Sequence, residues 1–398
     1  MKQLSIAVIG GGIGGLTAAL SLLKAGHDVH VHEQAPGLNE VGAGIQISPN
    51  ASKVLHGLGL AAPLAAAGVR PLAWRQRRWD DGRTLLRTPL AGAMEDAFDA
   101  PHTQIHRADL LRILAGALPE GRLHMGRALT GIADHGDRIE ARFRGGDRVL
   151  ADIVVGADGI HSAVRAQLFG PAQPHFTGSA CYRGLAPADR VAHLDIPTEA
   201  QVWMGPGRHF VHYYVRGGDL LNFVAVVDQD AWTAESWTDR GDLDQARAEF
   251  AGWHPQVQGI LGAVDETFIW ALFDRPPLDA WSRGRATLLG DACHPMVPFM
   301  AQGAAQAIED GATLAACLTG AADPVAALQT YEALRRPRTA RVQGLAAGNK
   351  TRFHLPDGPD QVARDAEMAR NVTDWSLDNV AWLYGHDAAR PDAGQVPA

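Results

Sequence analysis

The chain has 398 residues, with 36 Lys and Arg against 44 Asp and Glu and a formal net charge of −8. With 46% hydrophobic and 20% charged residues it can bury a sizeable core, which excludes wholesale disorder. The length suggests two or three domains, or one large domain with an insertion. No long basic run occurs, which argues against nucleic acid and anionic membranes as partners. Cys181, Cys293 and Cys317 show no CxxC spacing. A disulfide scaffold is thereby excluded, a cysteine-built metal site is disfavoured, and a reducing, cytoplasmic setting fits. The most apolar stretch, 54–73, is interrupted by His56, Gly57, Gly59, Pro63, Gly68, Arg70 and Pro71. A membrane span needs about 20 unbroken apolar residues. The N-terminus reads as a buried strand and not as a signal peptide.

In chain order, Ile6 to Ile9 predicts a strand and Gly10-Gly11-Gly12-Ile13-Gly14-Gly15 a turn into a helix over Leu16–Ala25, stopped by Gly26. Asp28 to Glu33 predicts a second strand. In this βαβ setting Gly10 permits the tight turn, Gly12 the approach of a pyrophosphate, and Gly15 close packing of helix on strand. The helix N-terminus adds free N–H groups for phosphate oxygens. Glu33 stands where a carboxylate accepts ribose hydroxyls and repels a 2′-phosphate, so the site suits FAD or NAD and not NADP.

Residues 71–100 are rich in Trp and Arg. Val149–Val155 is an apolar stretch leading into Gly156-Ala157-Asp158-Gly159 and on to Arg165. From 174 to 274 apolar and polar residues alternate, and 201–204, 209–216 and 220–227 predict antiparallel strands, the last two joined by Gly217-Gly218-Asp219. Helices are expected over 240–250 and 324–345, a buried run over Ala286–Leu289 before Gly290-Asp291, and a frayed end over 391–398. No internal repeat is visible.

Three ordered motifs now coincide: the glycine fingerprint, Asp158-Gly159 through Arg165, and Gly290-Asp291 with its sequel to Asp310. Together they resemble the single-component flavoprotein aromatic hydroxylases, the family of 4-hydroxybenzoate, salicylate and 3-hydroxybenzoate hydroxylases. The resemblance covers nearly the whole chain. It implies an α/β fold with a Rossmann-like FAD-binding domain, an inserted antiparallel-sheet substrate domain that roofs the flavin, and C-terminal helices. Residues 1–70, 100–175 and 275–350 would form the discontinuous FAD domain, 71–99 and 176–274 the substrate domain, and 351–398 a helical segment and tail. Noncovalent FAD would be held by Gly10, Gly12, Gly15 and Glu33 at its ADP half, by Arg107, by Asp291 at the ribityl chain, and by the turn through Gly303. Asp158 would serve both FAD and a passing nicotinamide nucleotide. A surface salt bridge for Arg107 and helix caps for the aspartates are the plainer readings.

The resemblance also implies NADH or NADPH as reductant, O2 as oxidant, and a C4a-hydroperoxide that hydroxylates an electron-rich ring in a site kept dry. Relatives are often homodimers. No second glycine fingerprint exists for a nicotinamide domain, so the reductant would visit a surface cleft, and NADH and NADPH are not distinguished. A phenol must lose its proton. On the strand through 209–214, His209 and Tyr213 share one face, and His212 and Tyr214 the other. The His-x-x-x-Tyr pair matches active-site positions of the family, which implies His209 as proton acceptor or phenolate partner and Tyr213 as a hydrogen-bonding wall, against the alternative of an ordinary solvated sheet face. Pro298 would keep the flavin edge dry, with Phe299 and Gln46 at the substrate. No metal is expected, and His294 reads as structural. The expected substrate is a small aromatic acid of salicylate or hydroxybenzoate type, possible loss of its carboxylate included. The alternatives are a 6-hydroxynicotinate-type pyridine carboxylate, another flavin oxygenation, a flavin dehydrogenase or reductase, and a non-catalytic flavin-binding partner.

Overall fold

The computed structural model describes residues 2–38, 43–230, 240–370 and 377–390. The expected frayed end at 391–398 lies outside the described residues. A six-stranded sheet runs in the order Ser282–Arg283, Ala286–Leu288, Ile153–Gly156, Ser5–Ile9, Asp28–His32, Leu123–His124. All its neighbours pair in parallel except Ser282–Arg283 with Ala286–Leu288. Its central strands are apolar because both faces are covered. The helix Ile13–Lys24 packs on it and Gly303–Leu318 packs on that helix, and Val8, Leu16, Val154 and Ile308 are fully sealed from solvent.

The apolar stretch 149–155 is two strands in two sheets. Arg148–Ala151 belongs to a three-stranded antiparallel sheet, and Ile153–Gly156 to the parallel one. Asp152 makes the break: its carboxylate accepts the Ser5 N–H at 2.8 Å, and its own N–H donates to the Ser5 carbonyl. An apolar run carries no period that would reveal such a kink.

An eight-stranded sheet carries the segment 175–274. Its central members are His175–Pro187, Leu220–Asp228, Arg208–Val215 and Ala200–Gly205, all antiparallel. Two strands from the Trp- and Arg-rich segment, Ala73–Arg78 and Thr84–Pro89, extend it, the first running parallel to Ala200–Gly205. One face packs on helices Leu243–Glu249 and Pro255–Gly262 through Phe210, Phe223 and Trp253. The other face carries Val202, Tyr213, Val215 and Val226 against Phe299, Met300 and Phe353. The expected helix over 240–250 is shorter, because Arg240–Gly241 pairs as a strand and Asp242 caps a helix starting at Leu243. The helix from Pro324 runs on to Phe353 through Pro337. Among the described residues no helix is long and apolar enough to cross a membrane.

Candidate active site

Four consecutive strands of the parallel sheet end, at their C-terminal edges, in the residues singled out above. Ala286–Leu288 runs into Gly290-Asp291, Ile153–Gly156 into Ala157-Asp158, Ser5–Ile9 into Gly10-Gly11-Gly12, and Asp28–His32 into Glu33. In open parallel sheets this edge is where ligands bind.

Gly10 has φ +111°, and a Cβ there would collide with the Ala157 carbonyl, so the first two corners touch only because Gly10 has no side chain. A Cβ at Gly15 would collide with the Gly10 carbonyl, which shows how tightly the helix sits on the turn. Gly12, by contrast, caps the helix at φ −74° with open space where a Cβ would stand. Glu33 accepts the Gly11 N–H at 2.6 Å and the Ala35 N–H at 2.8 Å, which fixes its carboxylate at the mouth of the cradle.

Asp158 accepts the Ser162 hydroxyl at 2.5 Å and the Val164 N–H at 3.1 Å. It therefore caps the start of helix Ala163–Phe169, and burial raises its carboxyl above the ordinary range. Asp291 is open to a cleft it shares with Arg183, Trp270 and Pro298. Its protein surroundings raise its carboxyl, and His294 and Arg107 pull against them. Burial lowers the Arg107 guanidinium to about 10, while Asp291 works against the loss of its charge. Arg107 is half-buried, and its backbone N–H donates to the Ala43 carbonyl at 2.8 Å. Gly303 opens helix Gly303–Leu318. Behind these turns His294 bonds Asp310 at 2.6 Å, and Asp310 also accepts the Gly290 N–H at 2.9 Å.

Over the cradle, His209 is 2% exposed and meets Phe299 edge to face with centroids 5.1 Å apart. Tyr213 lies on the same face, 4% exposed, with its hydroxyl pushed well up by burial. Among the described residues neither His209 Nε2 nor the Tyr213 hydroxyl has a hydrogen-bond partner. His212 points the other way and bonds the Trp203 indole at 3.0 Å. Gln46 is buried with its amide oxygen 2.9 Å from His102 Nε2.

Sequence reasoning missed His102, His354, Asp228, Asn222 and Arg183. His354 lies 2.7 Å from His209, Asn222 accepts the Gly44 N–H at 2.7 Å, and the Arg183 guanidinium lies 4.4 Å from the Trp270 ring centre. These partners stand 145 and 178 residues apart for the first two pairs, beyond any local signal.

A glycine cradle, an acid at the second strand, two further acidic corners on the same sheet edge and a sheet closing over them define a flavin-binding oxidoreductase. Residues 3–346 match the FAD binding domain family, and the chain belongs to it. Over 386 residues it is 45% identical to 3-amino-4-hydroxybenzoate 2-monooxygenase PtmB3 of Streptomyces platensis, covering 96% of each chain. It is 40% identical over 348 residues to 6-hydroxynicotinate 3-monooxygenase of Pseudomonas fluorescens, covering 86% of this chain and 90% of that one. Among solved structures it resembles Klebsiella pneumoniae HpxO complexed with FAD and uric acid, with a TM-score of 0.83 and 29% identity. That likeness covers 92% of this chain and 93% of that one. The protein is an FAD-dependent aromatic-ring monooxygenase with NAD(P)H as its reductant. The open space at Gly12 and the cleft-facing Asp291 beside Arg107 fit the cofactor.

Proposed function

We propose that the protein hydroxylates a small phenolic acid of the hydroxybenzoate or aminohydroxybenzoate type. The observation that carries this reading is the bare Nε2 of His209 beside Phe299, on the sheet face that also holds Tyr213. A neutral imidazole with a free lone pair in an apolar pocket can take the proton of a phenol, and the phenolate is the more reactive ring. Burial, then the neighbouring His354, depress the basicity of His209 and so favour that neutral form.

In this reading Gly10, Gly12, Gly15 and Glu33 hold the ADP half of FAD. Arg107, Asp158, Asp291 and Gly303 hold the remainder, so that 1–70, 100–175 and 275–350 serve the cofactor. Segments 71–99 and 176–274 serve the substrate, and 351–398 is a C-terminal helical segment and tail. Bound FAD supplies electron transfer from NAD(P)H and the activation of dioxygen. The protein's own part is to orient and to exclude water. Tyr213 would bond the substrate, Phe299 would wall the ring, and Pro298, with no N–H to offer, would keep its cleft edge free of a donor. Arg183, which lines the cleft with Asp291 and Pro298, is placed to pair with the acid group. Gln46, held by His102, would present its amide to a ring substituent.

The test is NAD(P)H oxidation with 3-amino-4-hydroxybenzoate, salicylate, 3-hydroxybenzoate and 6-hydroxynicotinate, with hydroxylated product and hydrogen peroxide both measured. Product close to stoichiometric with NAD(P)H for a benzoate is expected. Coupled turnover of the pyridine acid alone would overturn the substrate class, and peroxide alone would overturn hydroxylation.

A further inference from the structure

Behind His209 stands a chain of groups that the hydroxylation reading does not use. His209 Nδ1 lies 2.7 Å from His354 Nε2, and His354 Nδ1 lies 2.9 Å from Asp228 Oδ1. His209 and His354 are buried, whereas the Asp228 side chain is 42% exposed. The path thus runs from beside Phe299, on the buried face of the large sheet, to solvent at the C-terminal end of the interior strand Leu220–Asp228.

The charge state of Asp228 fixes every tautomer along it. Burial would raise this carboxyl, but the hydrogen bond from His354 and the charge of Lys350, 3.4 Å away, outweigh burial and hold it low. Ser179 also donates to it at 3.2 Å. A carboxylate only accepts, so His354 must carry its proton on Nδ1 and present a lone pair on Nε2. His209 must then donate from Nδ1, which leaves its Nε2 as the bare base. Lys350 and His354 are one turn apart at the end of the helix Pro324–Phe353, with Phe353 packed edge-on to His209.

We propose that His354 and Asp228 set the base form of His209 and conduct its proton to solvent, an inference that rests on His209 as the acceptor of the phenol proton. The phenol O–H breaks as His209 Nε2 gains the proton. His209 releases its Nδ1 proton to His354 Nε2, His354 releases its own to Asp228, and Asp228 passes one to water. As the product forms, one proton returns from water through Asp228 and His354 to His209 Nδ1, and His209 Nε2 gives its own to the product's phenolate oxygen, which restores both rings.

The first test needs no substrate: nitrogen-15 spectra of the histidine side chains in the FAD-loaded protein at pH 7. Protonated Nδ1 and bare Nε2 on both His209 and His354 are expected, and the reverse tautomer on either ring would overturn the proposal. The second test is turnover of 3-amino-4-hydroxybenzoate. His354→Gln keeps both hydrogen bonds but cannot relay, and Asp228→Asn removes the terminal acceptor. Each should lower kcat about 10- to 100-fold, leave KM and FAD content within about twofold, and enlarge the solvent deuterium effect. Asp228→Glu should restore most of the rate. Unchanged kcat and isotope effect in His354→Gln, beside a slowed His209→Ala, would sink the relay while sparing His209. An unaffected His209→Ala would sink the functional reading instead, and in that case the tautomers alone decide the tautomer-setting part.

Discussion

Arg335 Nε donates to Asp310 at 2.7 Å, and neither side chain reaches solvent. The same guanidinium pairs with Glu309, which Arg338 also holds at 2.7 Å. A buried charge stripped of its partner is costly, because its desolvation is no longer offset. Arg335→Leu should therefore destabilise the protein by about 3–5 kcal/mol in urea unfolding. It should also loosen the Gly290-Asp291 turn that Asp310 anchors, which lowered FAD occupancy in the surviving folded fraction would register.

The same network sets one of two acid transitions. Burial would raise Glu309 and Asp310, but Arg335 with Arg338 for the first, and His294 with Arg335 for the second, hold both below their ordinary values. Their stabilisation is complete above about pH 4, where the unfolded carboxylates ionise, and is lost below it. A milder transition comes first. Burial lowers His102 to about 4, so from pH 6.5 down to 4 the unfolded chain binds a proton that the native protein refuses. Stability falls through that window and then levels. His32, lowered to about 4 by burial and by His124, adds to it. Replacing His102 by Asn should shrink the stability lost between pH 7 and pH 5 by about 2 kcal/mol, as read from urea midpoints at each pH.

Gly10 and Gly12 separate folding from cofactor binding. Gly10→Ala places a methyl against the Ala157 carbonyl at a left-handed φ, so the apoprotein itself should be poorly folded. Gly12→Ala meets nothing in the protein. It should leave the apoprotein's melting temperature within a few degrees while FAD affinity falls at least about tenfold through lost phosphate approach. Equal FAD affinity in Gly12→Ala would remove the pyrophosphate from this turn.

His209→Ala should retain FAD and bind the substrate acid, yet shift the outcome from hydroxylated product toward hydrogen peroxide. A loss of about 10²-fold in hydroxylation rate is the scale of one misplaced proton acceptor. Unchanged coupling in this variant would assign the histidine to packing.

The cofactor cradle was legible because its geometry leaves the sequence little choice. Gly10 and Gly15 are demanded by collisions that any side chain would make, and they follow a strand of β-branched residues. The strands at 201–204, 209–216 and 220–227 were legible through alternation, which placed His209 and Tyr213 on one face and His212 and Tyr214 on the other. What escaped is what lies far apart in the chain. Nothing near His209 announces His354, nothing near Gln46 announces His102, and the kink at Asp152 hides in a continuous apolar run. Asp158 combines both readings the sequence offered, since its carboxylate accepts the Ser162 hydroxyl and the Val164 N–H at a helix start and also stands at the cofactor edge of the parallel sheet.

Four adjacent strand ends are assigned to one flavin, and the direct measurement is FAD content of the purified protein with its visible spectrum before and after acid precipitation. About one FAD per chain, released intact into the acid supernatant, and a parallel loss of colour in Glu33→Ala are the predicted results. A colourless chain that takes up no added FAD, or a flavin that stays with the pellet, would contradict it.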